Sequence, residues 1–178
     1  MRAFFLAIAL ICTWSLGHAD NQQRDLKVLR KKLIIAIGSS QTTDSLYNAL
    51  DHLPNKTPLT TAYMGALDAL KAKHSWNPYS KIKYLNTSEK LMQQAVNADP
   101  HNIEILFIRF SIQHNVPAFL GYGKNLVGDR EQMITQIGNK NYGTADRELT
   151  INIIKFLIDS KRCSPAENDK LHKQLASL

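Results

Sequence analysis

Residues 103–112, IEILFIRFSI, follow an Asp99-Pro100 boundary and place apolar side chains at 103, 105, 106, 107, 108, 110 and 112. At helical spacing these positions reach nearly every side of the cylinder, whereas a surface helix needs only one apolar stripe. The run therefore predicts a helix enclosed by others, and the rest of the chain must supply the enclosure. Any fold that leaves this rod in water is excluded.

The flanking segments read as that enclosure. Leu26, Leu29, Leu33, Ile34 and Ile37 recur at steps of three and four, predicting an amphipathic helix over 24–37 that stops at Gly38. The fragment LIIAIG alone also fits a buried strand, but the helical register upstream decides against it. Asp44 is expected to cap a second helix carrying Leu46, Tyr47, Leu50 and Leu53, closed by Pro54. Thr57 as cap with Pro58 in the first turn opens a third, PLTTAYMGALDALKAKH, whose Ala62, Gly65, Ala66 and Ala69 allow a neighbour to approach closely. SWNPYSKIKYLN is expected to be a loop bearing Trp76, Tyr79 and Tyr84, followed by a fourth helix with Leu85, Met92 and Val96. Beyond the central helix, a sixth is expected from about 124 to 137. A seventh carries Leu149, Ile153, Phe156 and Leu157. An eighth follows Ser164-Pro165-Ala166-Glu167, a capping box with a helical proline. No segment reads as a strand.

Residues 3–16 are apolar, follow Arg2, and end in Gly17-His18-Ala19, the pattern of an export leader cleaved after Ala19. The stretch is shorter than the span of about 20 apolar residues that crosses a bilayer, so an uncleaved anchor is the second reading and no stable transmembrane segment is expected after cleavage. Ile11 before Cys12 is too large for a lipoprotein signal. Residues 20–178 then form one domain, long enough to build a core without staples. Their single cysteine, Cys163, has no internal partner.

The chain carries 22 Lys and Arg against 15 Asp and Glu, with Arg2 in the leader. The densest basic cluster is Arg30-Lys31-Lys32, preceded by Arg24 and Lys27 on the first helix. A solvated helix face explains it most simply, and weak contact with an anionic membrane surface is the functional alternative. Nucleic acid is not expected as a partner, because the basic residues do not interleave with aromatics in a known module.

Ser88, Met92, Ala95 and Pro100 resemble the second helix and closing proline of a tetratricopeptide repeat, and Met64-Gly65 resembles the bulky-glycine pair of its first helix. The spacing departs from the repeat, since Gly65 stands 35 residues before Pro100. The expected loop around 76–84 holds the excess, and no second copy matches. FIRFSIQHNVPAFLGY is also similar to a group of small exported proteins of Gram-negative bacteria, a resemblance that brings no catalytic residues. Together these imply an all-α fold of antiparallel helical hairpins, an irregular tetratricopeptide-like bundle or short solenoid of about eight helices.

Catalytic patterns are wanting. His52, His74, His101, His114 and His172 complete no recognised ligand motif, and there is no G-x-S-x-G elbow. Gly121, Gly123 and Gly128 miss both nucleotide-loop spacings and no strand precedes them, so a turn at a helix end is expected. No metal, cofactor or catalytic residue is assigned. Lys161 and Arg162 are expected to lower the thiol pKa of Cys163. The sequons at Asn55 and Asn86 are incidental in a bacterial setting.

Arg109 is the exception within the apolar run, because a buried guanidinium without a partner costs several kcal/mol. A structural tether is expected, formed with an Asp or Glu of a neighbouring helix, with Gln113 and Asn115 hydrogen-bonding the same turn. The competing reading makes Arg109 an anion-binding residue beside Tyr122 or Trp76. The sequence thus predicts an exported, non-enzymatic interaction or scaffold module of the cell envelope, its partner a protein or peptide. The alternative is a small-molecule or polyanion binder using Arg109 and the 76–84 loop.

Overall fold

The computed structural model describes residues 23–178, so the expected leader lies outside the described residues. Among those residues the chain forms eight α-helices and no strand: α1 over residues 23–36, α2 Ser40–Asp51, α3 Pro58–His74, α4 Pro78–Ala98, α5 Ile103–Asn115, α6 Leu126–Gly138, α7 Arg147–Asp159 and α8 Pro165–Ser177, with a single 3-10 turn at Ala118–Leu120.

Local capping explains most of the helix starts. Thr57 accepts from the Thr60 backbone N–H at 3.1 Å with Pro58 in the first turn, and Ser164 and Glu167 form the reciprocal capping box. The same chemistry corrects one expectation. The Asn77 side chain accepts from the Tyr79 N–H at 2.9 Å and Pro78 opens the helix, so the segment read as a loop is the first part of a 21-residue α4. Only Ser75, Trp76 and Asn77 connect α3 to α4. The excess over a 34-residue repeat is therefore extra helix. A second correction concerns α2, which is capped by Ser39, whose hydroxyl accepts from the Thr42 N–H at 3.1 Å. Asp44 lies inside this helix, and Leu53 falls beyond its end. The glycine-rich stretch behaves as a turn: Gly121 ends the 3-10 segment at φ 77°, while Gly128 lies within α6.

The central rod is enclosed as its composition requires. Ile103, Ile105, Leu106, Ile108 and Phe110 of α5 are buried, and Phe107 and Ile112 are half-buried. Each fully covered aliphatic or aromatic side chain contributes about 1.5–3 kcal/mol relative to exposure. α3 and α4 fold back on each other so tightly that a methyl group at Gly65 would lie 3.0 Å from the Met92 sulfur and 3.3 Å from the Ser88 carbonyl. From the other side, Phe156 of α7 meets Phe107 and Phe110 edge to face, with centroids 5.3 and 6.1 Å apart. One buried cluster runs from Ala36 at the end of α1 to Leu171 in α8. No described helix is long and apolar enough to cross a membrane.

Candidate functional site

Arg109 is fully employed. Its Nε and Nη2 donate to the two oxygens of Asp129 on α6 at 2.8 and 2.5 Å, and Nη1 donates to the Gln93 side-chain oxygen at 3.2 Å. Burial pushes the Asp129 carboxyl up, and the guanidinium opposes that shift. Gln113 clasps Asn125, donating to its side chain and accepting from its backbone N–H, each at 3.1 Å. Asn115 donates to the Ser111 carbonyl of its own helix at 2.8 Å, and Tyr122 donates to Asn86 at 2.7 Å. Arg109, Gln113 and Tyr122 do line one recess, but its volume is about 20 Å³, room for little more than a water. Asn115 and Trp76 are not in its wall. Arg109 and Gln113 therefore tie α5 to α6 and its cap residue Asn125, whereas Asn115, Tyr122 and Trp76 take no part in that tie, and the paired, buried Arg109 does not favour the anion-binding reading.

A second polar node is equally buried and escaped the sequence reading. Glu104, in the first turn of α5, accepts from Arg30 of α1 at 2.8 and 2.7 Å, from the Tyr63 hydroxyl of α3 at 2.5 Å and from Thr144 at 3.0 Å. Arg30 continues to Asp146 at 3.2 Å and to the Thr144 carbonyl at 3.0 Å. Burial works against the Arg30 charge, but the hydrogen bond and attraction to Glu104 raise its pKa on balance. Burial and the adjacent carboxylate hold the Tyr63 phenol far above the usual tyrosine range, so it serves as a donor only. Four donors on one carboxylate make a closed set, with no lone pair turned to a ligand. Its sequence signal was the acid at 104 within an apolar run, the same anomaly that drew attention to Arg109.

The open chemistry lies elsewhere, where the C-terminal ends of α1 and α3 meet the N-terminal ends of α2 and α4. Lys73 Nζ donates to the Ile37 carbonyl at 2.8 Å, and His74 Nε2 lies 3.0 Å from the Ala36 carbonyl, pinning α1 to α3. Beside this joint is a polar cleft of about 240 Å³ walled by Ser40, Asp44, Lys71, His74, Ser80 and Tyr84. Lys71 Nζ lies 3.2 Å from the centre of the Tyr47 ring and 3.8 Å from buried Asp68. One oxygen of Asp68 has no partner, and burial raises this carboxyl to about 6 against the opposing pull of Lys71. Around the cleft, large apolar side chains face outward: Trp76 is 98% exposed, Tyr79 79%, Ile34 68% and Ile35 59%. Trp76 thus belongs to this end of the bundle, away from Arg109.

The remaining candidates are quickly placed. His52, His101 and His172 are exposed, and His74 and His114 half-buried. Cys163 reverses the expectation: burial, then the Glu167 carboxylate, pushes its thiol up, with Arg130 opposing, and its sulfur lies 3.5 Å from the Leu157 carbonyl. Arg162 is turned away to His114 at 2.9 Å. No protein-family model, curated protein or solved structure matches the chain.

Proposed function

We propose that the protein is an exported, non-enzymatic interaction module of the cell envelope, built on a tetratricopeptide-like α3–α4 hairpin, and that it works through the end of the bundle carrying Ile34, Ile35, Trp76 and Tyr79. The observation that carries this reading is the contrast between inside and outside. The buried ion pairs are spent on joining helices, whereas several large apolar side chains stand in water at one end, with Phe119 and Val127 exposed elsewhere. Exposed apolar patches on soluble domains mark contact surfaces. The close approach of Gly65 to Met92 and Ser88 supports the tetratricopeptide-like reading, since these are the residues that carried the resemblance.

Site-directed crosslinking tests the reading. A photo-crosslinker at Trp76, in cells with an intact envelope, is expected to trap a discrete envelope component, and one at exposed Phe119 is not. Equal labelling from both positions, or none from Trp76, would count against a working surface at this end.

The cleft beside that surface favours a second reading, a binder of a small polar molecule. Its site is then Lys71 and His74 with the hydroxyls of Ser40 and Ser80, in place of Arg109. A volume of about 240 Å³ falls below the usual range for ligand pockets, roughly 300–1,000 Å³, so this reading ranks second.

A further inference from the structure

Two lysine-bearing stretches of the chain that meet in the fold contain no acidic residue. Residues 26–43 carry Lys27, Arg30, Lys31 and Lys32, and residues 69–88 carry Lys71, Lys73, Lys81 and Lys83, with no Asp or Glu in either. The bonds from Lys73 and His74 to the end of α1 bring these stretches together. The fold thus gathers into one place a positive charge that is only mild when averaged over the chain. Several of these cations have internal duties: Arg30 serves Glu104, Lys71 lies on Tyr47, and Lys27 is 3.8 Å from Asp146. Lys31, Lys32, Lys81 and Lys83 are exposed and make no ion pair among the described residues. Asp68, buried 3.8 Å from Lys71, and Asp44, in the cleft wall, are the acidic residues that border these stretches at the joint.

The same end exposes apolar side chains of a particular kind. On α1, Val28, Lys31, Lys32 and Ile35 follow one another at steps of three, four and seven residues from the first and share one outward face, with Ile34 beside it. At the start of α4, Trp76 and Tyr79 stand out with Ile82 one turn further on. Aromatic rings with a polar edge, branched aliphatics and unpaired lysines are the combination that rests at the boundary between lipid headgroups and acyl chains. A soluble polyanion would engage the lysines and gain nothing from bare isoleucines. An acidic protein would meet the charge, but lysines without an ion pair flank exposed apolar residues on both helices at this end, the composition that favours an anionic lipid surface.

We propose that this end docks on the surface of an anionic phospholipid bilayer, with Ile34, Ile35, Trp76 and Tyr79 entering the headgroup boundary and Lys31, Lys32, Lys81 and Lys83 meeting lipid phosphates. The proposal rests on the interaction-module reading and names its partner. It involves no spanning segment, and the bundle stays folded as it docks.

The test is sedimentation of the folded chain from residue 20 onward with phosphatidylglycerol vesicles and with phosphatidylcholine vesicles, at low and physiological salt. Binding is expected to the anionic vesicles and to weaken with salt. Lys31→Gln with Lys32→Gln should reduce it on the order of thirtyfold, since each lysine near an anionic surface contributes roughly fivefold and the two factors multiply. Ile34→Ser with Ile35→Ser should reduce it at least tenfold, roughly, without lowering the melting temperature, because both side chains are already in water. If the lysine pair matters and the isoleucine pair does not, the ligand is a polyanion and the bilayer proposal falls. Binding that neither pair weakens, or that is equal on both lipids, also overturns it. If vesicles are ignored while the Trp76 crosslinker still traps an envelope protein, the lipid partner is wrong and the interaction module survives. Failure of both experiments removes both readings.

Discussion

Asp68 shows how one residue can work against the fold that holds it. It sits on α3 with one oxygen unpartnered, Lys71 3.8 Å from the other, and the Tyr47 ring stacked against that lysine. Its folded pKa of about 6 lies above the ordinary value of 3.8. The folded state therefore binds this proton more tightly than the unfolded state, and ionised Asp68 costs stability at neutral pH. That cost shrinks as pH falls through 6 and is gone by about 4. Asp68→Asn should accordingly raise stability at pH 7.5 by about 1–2 kcal/mol, less than the full charge penalty because the new amide N–H is also left unpaired. At pH 5 the gap between variant and wild type should narrow or reverse. Urea unfolding of both proteins at the two pH values measures this, and a gap that does not change with pH would place the cost elsewhere. Sequence alone did not reveal this residue, since ALDALKAKH is an ordinary amphipathic string until α2 and α4 close over it. Arg109 was legible because its neighbours along the chain already implied burial.

At the scale of the element, legibility followed the range of the interaction that sets each boundary. α3 and α8 were placed from Thr57-Pro58 and the Ser164 capping box, whose partners lie three residues away. Asn77-Pro78 carries the same information, yet the three aromatics around it suggested a loop, and the start of α4 was missed. The start of α2 was hidden within SSQTTD, where several residues could cap and the choice of Ser39 depends on how α1 ends. Packing of α3 on α4 was foreseen from small residues, and one of them bears a sharp test. A side chain at Gly65 must displace Met92, the flexible member of the contact, or push on the Ser88 backbone, which cannot yield. Gly65→Val should therefore destabilise by about 1–3 kcal/mol despite leaving a poor helix former behind. Adding Met92→Ala to that variant should cost less than Met92→Ala does in the wild type, because the valine fills part of the vacated space. A double-mutant cycle by thermal unfolding checks the coupling, and strict additivity would mean the two helices are not in contact there.

Across the whole molecule, polar groups inside the bundle act as ties between elements distant in sequence, and the outward surface depends on them. Glu104 joins α1, α3, α5 and the turn at Thr144; without it, α1 is held by its leucines, by Gln23, Lys27 and Arg30 around the more exposed Asp146, and by the bonds that Thr43, Lys73 and His74 make to the carbonyls of Ala36 and Ile37. Such a tie is invisible along the chain, because Arg30 and Glu104 stand 74 residues apart. Glu104→Gln keeps one acceptor oxygen where the carboxylate has two, so it serves Tyr63 or Thr144 but not both, and it removes the charge facing Arg30, leaving a poorly solvated guanidinium with Asp146 as its counterion. The expected loss is about 3 kcal/mol. It should fall unevenly: amide exchange in 26–36 should quicken more than in α3 or α5, because α1 is the element whose docking rests most on that pair. Equal acceleration everywhere would mean that α1 opens only with the whole bundle. Because α1 supplies Lys31, Lys32, Ile34 and Ile35, loosening it also disperses the basic and apolar end. The same variant should therefore bind phosphatidylglycerol vesicles more weakly than the wild type, although the substitution adds to net positive charge and lies far from the docking face in sequence. Tighter binding would show that charge alone draws the protein to the bilayer, and that the arrangement of α1 against α3 contributes nothing.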